Sequence, residues 1–332
     1  MFIHTNYHDV PLTERELAEF KHFDLITLEK NQGGTGPDVV ARIVAAAKQL
    51  KAVTDAPVLM YTNLLLDWPQ FATLHEEFAA NAADWRLEDA RGEIVNFTKS
   101  GLMACFDQAN ASMREAWKRQ CADAVATGAL DGCFVDRAAQ YQYGCNARRK
   151  TNGGKPLISN ASCDAYALAQ TELQAEVGLV ISNCGGQADV AACPPTGVAG
   201  VMFEFWCDVA DGTAKNWPGM GPPESTCADL VKQAAALGDD HVVLIHRGVG
   251  AANNATYSYA AFLLAAGNYS KFGDGAWAGD WTWLDAYDRP LGAPKGSYYV
   301  AGDDALVLRR DFERVGVVVD TRNSIAWLNY LT

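Results

Sequence analysis

Two carboxylates stand where apolar runs end. Asp136 closes DGCFVD (131–136), and Glu204 follows the apolar part of VAGVMFEF (198–205). A carboxyl at the end of a buried strand is desolvated on one side and offered to solvent on the other. Breaking a glycosidic bond asks for two carboxyl groups, one to give a proton and one to attack or to activate water. Asp136 is therefore read as nucleophile or base, and Glu204 as general acid/base. The competing reading makes Asp136 half of a structural ion pair with Arg137 or Arg247.

Other polar and aromatic residues fall at similar points. They are Glu29 after FDLITLE (23–29), Asn63 after APVLMYTN (56–63) with Trp68 just beyond, and Asp107 after LMACFD (102–107). Arg137, Asn183, Trp206, His246 and Arg247 follow later runs, and Trp277 lies in GAWAG (275–279). Amides, carboxylates and indoles together suit a carbohydrate, because planar polar groups hold hydroxyls and rings stack on the apolar sugar face. Each residue has a second reading. Glu29 could pair with Lys30, and Asp107 could cap the helix that begins near Asn110. His246 could be a satisfied core histidine, and Arg247 could hold a carboxylate in place. Trp281 and Trp283 join the candidate stacking platforms, whereas Trp117 and Trp327 sit on packing faces and read as core.

Other chemistries find no support. HEEFA (75–79) lacks the second histidine of HExxH, and no GxSxG occurs. No GxGxxG follows the first strand, and no GxxxxGK[ST] is present. No His/Cys/Asp cluster has metal-ligand spacing. Neither a metal nor a cofactor is implied.

The elements that must carry these residues alternate. Apolar runs at 2–6, 23–29, 56–63, 131–136, 178–183, 198–205 and 241–246 are separated by segments of helical period. One such helix begins at Pro37, with Val39, Val40, Ile43, Val44, Ala47 and Leu50 on one face. Repeated βα units of doubly buried strands predict an α/β (β/α)₈ TIM barrel, with the eighth strand near 275–279 and an open doubly wound sheet as the alternative. In such a barrel the strand C-termini form the active face. After about residue 285 the pattern turns to short alternating runs, which predict a small antiparallel sheet. The expected division is a catalytic barrel over 1–284 and a β-rich extension over 285–332.

The chain has 332 residues, 49% of them apolar, and a net charge of −13. That charge repels phosphate backbones and anionic membranes, so nucleic acid and membrane surfaces are not expected partners. Arg148, Arg149 and Lys150 form the one tight basic cluster, read as a solvated loop. No apolar run is long enough to span a bilayer, and MFIHTNYHDVPLTEREL lacks the pattern of a signal peptide. Nine cysteines and sequons at Asn96, Asn110, Asn160, Asn254 and Asn268 point to a secreted, disulfide-bonded glycoprotein. The expected pairs are Cys184–Cys193, Cys145–Cys163 and Cys207–Cys227, with Cys133 as a buried free thiol. The oligomeric state is not legible.

Three segments carry a resemblance: LDGCFVDRA (130–138), GVMFEFW (200–206), and YDRPLGAPKG (287–296) followed by RRDFERVGVVVD (309–320). They resemble the hypothetical glycosyl hydrolase families with TIM barrels that were defined largely from sequence. That resemblance implies Asp136 as a catalytic carboxylate on strand four and Glu204 at the end of strand six. It also implies a tail that closes on the barrel as a small sheet. Site placement is similar to the α-galactosidase clan, which by analogy makes Asp136 the attacking group and Glu204 the proton donor. Two other functions stay open: a non-catalytic carbohydrate-binding barrel, and a polysaccharide lyase using His246 or a tyrosine as base and Arg247 to neutralise charge.

Overall fold

The structure, a computed structural model, is described for residues 1–5, 11–89, 92–97, 103–138, 160–183, 197–204, 206–207, 226–247, 255–274 and 283–331. Eight short strands belong to one sheet in chain order. They are β1 (Ile3–Thr5), β2 (Ile26–Leu28), β3 (Val58–Asn63), β4 (Gly132–Asp136), β5 (Val180–Asn183), β6 (Gly200–Phe203), β7 (Val242–His246) and β8 (Ser270–Gly273). Between them run α1 (Glu14–Glu19), α2 (Val39–Lys51), α3 (Ala72–Ala80), α4 (Ala111–Ala126), α5 (Asn160–Val177), α6 (Cys227–Leu237) and α7 (Ala255–Ala265). The fold is a (β/α)₈ barrel with a small antiparallel sheet after it, as the alternation predicts. Seven strands fall within the expected runs. The eighth lies ahead of GAWAG, a segment outside the described residues. SKFG is short and half polar, so only Phe272 marks it as buried.

The chain divides into two compact units. One comprises Met1–Cys184, Ala191–Gly200 and Trp277–Gly279; the other comprises Gly185–Val190, Val201–Ala276 and Asp280–Thr332. In the first unit β1 to β5 pair in parallel. Every residue of β3 is buried, and so are Gly132–Val135 of β4. Strands buried on both faces need continuous apolar side chains, which is why they read as plain runs.

The β4 motif shows what each of its letters does. The Asp131 carboxylate accepts the Val58 N–H at 2.7 Å and the Lys51 ammonium at 2.6 Å, tying the start of β4 to β3. A Cβ on Gly132 would lie 2.0 Å from the Leu179 carbonyl oxygen, so only glycine lets β4 approach the chain before β5. Cys133 is disulfide-bonded to Cys121 of α4, which corrects the free-thiol expectation. Both sulfurs lie in the buried helix–strand seam, and burial does not distinguish a thiol from a disulfide.

The second unit holds most of β6, then β7, β8 and the tail. The Cys207–Cys227 disulfide is present as expected. Cys145, Cys184 and Cys193 lie outside the described residues, and the other two expected pairs with them. The tail folds into β9 (Tyr299–Val300), β10 (Val307–Asp311), β11 (Val315–Asp320) and β12 (Ile325–Tyr330), an antiparallel meander. Val315, Val317 and Val319 point inward and are fully buried. Helix α7, buried from Tyr257 to Ala265, packs on α6 and on this sheet. Arg310 fixes the join. Its Nη1 donates to the carbonyls of Leu263, Leu264 and Ala266 at 3.0, 3.2 and 2.7 Å, capping the C-terminus of α7. The tail motif is thus structural at this arginine. Among the described residues no helix is long and apolar enough to cross a membrane.

Candidate functional site

In the first unit, the ends of β2, β3, β4 and β5 carry two carboxylates with different partners. Asn63 and Asp136 are register partners on neighbouring parallel strands. Tyr61, two residues before Asn63, points to the same side, as the period of a strand requires. The Asp136 carboxylate is half-buried and accepts four hydrogen bonds. Oδ2 receives the Tyr61 hydroxyl at 2.6 Å and the Asn63 amide at 3.1 Å. Oδ1 receives the Asn183 amide at 3.0 Å and the Arg137 backbone N–H at 2.8 Å.

These donors are themselves fixed. The Asn63 side-chain oxygen accepts the N–H groups of Leu65 and Leu66 at 3.1 and 2.7 Å, which sets its amide nitrogen toward Asp136 and Tyr61. Its backbone carbonyl accepts the Trp117 indole at 2.9 Å, and Trp117 is core as expected. Burial first, then the charges of Asp136 and Glu29, push the Tyr61 hydroxyl well above its ordinary value, so it remains a donor. Arg137 adopts a left-handed backbone, φ 58°, which turns its N–H back onto Asp136. A non-glycine residue there carries strain of about 1–2 kcal/mol, the kind held at functional sites.

Glu29 is more deeply buried and differently held. His4 Nε2 contacts one oxygen, and the Lys30 ammonium donates to the other at 2.6 Å. Burial alone would raise its pKa, but the charges and hydrogen bonds of Lys30 and His4 outweigh it and hold the carboxyl down at about 2. Glu29 is a locked anion. Lys30 leaves this pair partly exposed, lying 4.4 Å from the Tyr61 ring centroid and 5.2 Å from that of Trp68. Both are cation–π distances. Trp68 is half-buried beneath it.

Asp107 sits apart from this cluster. Its side chain accepts the Ala109 N–H at 3.1 Å, and burial raises its pKa. It does not cap α4; Asn110 does so, accepting from Ser112 and Met113. His75 of HEEFA is engaged by Asp67 at 2.8 Å.

In the second unit, Glu204 follows β6 and is half-buried. Trp206 is fully buried, packs edge-on against Phe203, and donates its backbone N–H to the His246 carbonyl at 3.1 Å. His246 is buried at the end of β7. Arg247 pairs with Asp274, whose other oxygen accepts the Tyr287 hydroxyl at 2.8 Å. Arg247 thus holds a carboxylate, though one that sequence reading did not single out. Asp274 follows β8 and was missed with that strand. Trp277 and Trp281 lie outside the described residues, and Trp283 donates its indole N–H to Asp288 at 2.7 Å.

Tyr61, Lys30 and His4 were also missed as site residues. Tyr61 and His4 lie inside apolar runs and read as core, although the spacing of Tyr61 to Asn63 was a usable signal. Among the described residues no group of His, Cys, Asp or Glu could hold a metal ion.

Comparison with known proteins places this architecture. The structure is similar to an α-galactosidase from Thermus thermophilus, at TM-score 0.55 and 13% identity, over 97% of this chain and 66% of that one. It is also similar to a noncanonic maltogenic α-amylase from Thermotoga neapolitana, at 0.52 and 10%, over 92% and 79%. A cycloisomaltooligosaccharide glucanotransferase from Paenibacillus sp. matches at 0.46 and 12%, over 74% of this chain, which spans 38% of that enzyme's length. At these identities the likeness to the first two is one of fold. No curated protein sequence matches. Residues 51–315, however, match one family model, and the chain belongs to hypothetical glycosyl hydrolase family 15.

Proposed function

We propose that the protein hydrolyses O-glycosidic bonds of a poly- or oligosaccharide, with Asp136 as nucleophile or base and Glu204 as general acid/base. The observation that carries this reading is the clasp on Asp136. Among the described residues four neutral donors fix the direction of this carboxylate. Glu29 and Asp274, both more deeply buried, each face a cation instead. Membership of a glycosyl hydrolase family supports the reaction class.

In this reading Asn63 and Asn183 orient Asp136, and so does the backbone of Arg137. Lys30 contacts a sugar hydroxyl, with Glu29 acting through it as a positioning residue. Trp68 supplies an apolar face beside that ammonium. Asp107, Trp206, His246, Arg247 and Trp277 remain proposed contacts of the substrate. The barrel is assigned to 1–284 and the extension to 285–332. The two disulfides between described residues fit an oxidising compartment, so we place the protein outside the cell. Of the sequons, Asn96 is exposed and suited to a glycan. Asn110 is the cap of α4, and the Asn268 amide donates to Asp239 at 2.8 Å.

The test is a panel of polysaccharides and aryl glycosides offered to wild type, Asp136→Asn and Glu204→Gln. Sugar release by wild type, lost in both variants with thermal unfolding nearly unchanged, is expected. Full turnover in either variant removes that residue from the chemistry. Binding without products after long incubation would make the protein a carbohydrate-binding barrel, and an unsaturated product absorbing in the ultraviolet would make it a lyase.

A further inference from the structure

The four-stranded tail sheet packs one face on α7, and on the other Tyr299, Arg309, Trp327 and Asn329 are exposed. On that outer face the register aligns Tyr299, Arg309, Val318 and Trp327 directly opposite one another, in one row across all four strands. Tyr299 and Trp327, at the two ends of the row, are each 46% exposed. Trp327 had been expected in the core; its strand alternates, and the tryptophan falls on the outer face.

The polar groups between the rings are already paired with one another. Arg309 donates to Asp311 through Nε and Nη2 at 3.0 and 2.8 Å, and the Tyr299 hydroxyl donates to the same carboxylate at 2.9 Å. The adjoining row runs Asp311, Gly316, Asn329. Gly316 offers no side chain, yet it is buried, because the side chains of Asp311 and Arg309 lie over it. A Cβ there would lie 3.3 Å from Asp311 Oδ1. The Arg309–Asp311 pair thus covers the backbone at Gly316, beside a row that ends in an exposed ring on each side.

We propose that this face binds a neutral polysaccharide chain. Its rings stand three strand spacings apart, about 14 Å, with hydrogen-bonding groups between them, so several sugars could rest on one row. Rings that stack on apolar sugar faces, beside planar groups that meet hydroxyls, are complementary to a glycan. The charge balance selects a neutral one. Arg309 is committed to Asp311, and a chain of net charge −13 repels polyanions. The site would hold polymer to the protein independently of bond cleavage. The proposal rests on the glycosidase reading only for its choice of ligand class.

The test is native affinity electrophoresis of the full chain carrying Asp136→Asn, through gels containing dextran, galactomannan, soluble starch or mixed-linkage β-glucan. At least one polymer should retard the protein. Trp327→Ala in the same background should weaken the apparent association about five- to tenfold, the size of one aromatic contact, with unfolding temperature unchanged. Tyr299→Ala should weaken it in the same gel. Equal retardation with and without Trp327, or no retardation by any polymer, overturns the proposal. So does a change in sedimentation on Trp327→Ala, which would make the face a contact between copies of this chain. Binding through Trp327 with no sugar released by wild type would sink the glycosidase reading alone; sugar release with Trp327-independent retardation would sink this proposal alone.

Discussion

Glu29 after β2 and Asp136 at the end of β4 are carboxylates of one compact unit, both following buried strands, yet their surroundings assign them different work. Glu29 is closed between His4 and Lys30, and its proton is held off down to a pH of about 2. Asp136 meets a hydroxyl, two amides and one backbone N–H. An anion matched by cations has spent its field locally, whereas one matched by neutral dipoles projects its charge toward whatever binds. Position on a barrel strand makes a residue a candidate, and partner type decides between structure and chemistry.

The comparison breaks most simply in turnover. Asp136→Asn should lower kcat by about a thousandfold or more, as expected for a group that bonds to the reacting atoms. Glu29→Gln should instead raise KM about tenfold, because Lys30 loses its anchor while the attacking group stays in place. Steady-state kinetics on the same substrate reads both. If Glu29→Gln removed turnover as completely as Asp136→Asn, the division of labour between the two carboxylates would be wrong.

A second test uses protons. The Glu29 carboxyl titrates at about 2 in the folded chain against an ordinary 4.5, so the unfolded state binds the proton first. Its contribution to stability is therefore complete above pH 4.5 and is lost as the pH falls toward 2. The shift corresponds to something on the order of 3 kcal/mol. Urea unfolding of wild type and Glu29→Gln between pH 7 and 3 should show a gap that is constant down to about pH 5 and closes below it. A gap that stays constant to pH 3 would mean that the ion pair does not hold Glu29 charged.

Which parts of this were legible beforehand follows from the physics of each signal. Parallel strands buried on both faces are apolar until they stop, so Asp136, Asn63, Asn183 and Glu204 announced themselves as strand ends. The β4 motif was legible as a motif, but not the separate tasks of Asp131, Gly132 and Cys133, which depend on what β3, β5 and α4 bring beside them. Ser270–Gly273 escaped because a four-residue strand with two polar positions lacks that apolar signature. Trp327 was misplaced for a different reason. SIAWLNYL alternates clearly, but alternation gives two faces without saying which is inward, and here Ala326 and Leu328 face in. Tyr61 was hidden by the strand itself, since an aromatic within an apolar run reads as core, and only its two-residue spacing from Asn63 hinted that its hydroxyl would find Asp136.

That hydroxyl supplies the finest test of the contrast. Tyr61→Phe keeps the ring, its packing near Phe134 and the face that Lys30 lies over, and removes one neutral donor from Asp136. A hydrogen bond to a charged group contributes about 1.5–3 kcal/mol, so kcat should fall roughly ten- to a hundredfold. KM should hold, because the Glu29–Lys30 pair is untouched. Were Asp136 merely a buried polar group satisfied by its neighbours, the same substitution would lower the unfolding temperature and leave kcat where it was. The split between kcat and unfolding temperature thus separates a clasp that serves chemistry from one that serves only the fold.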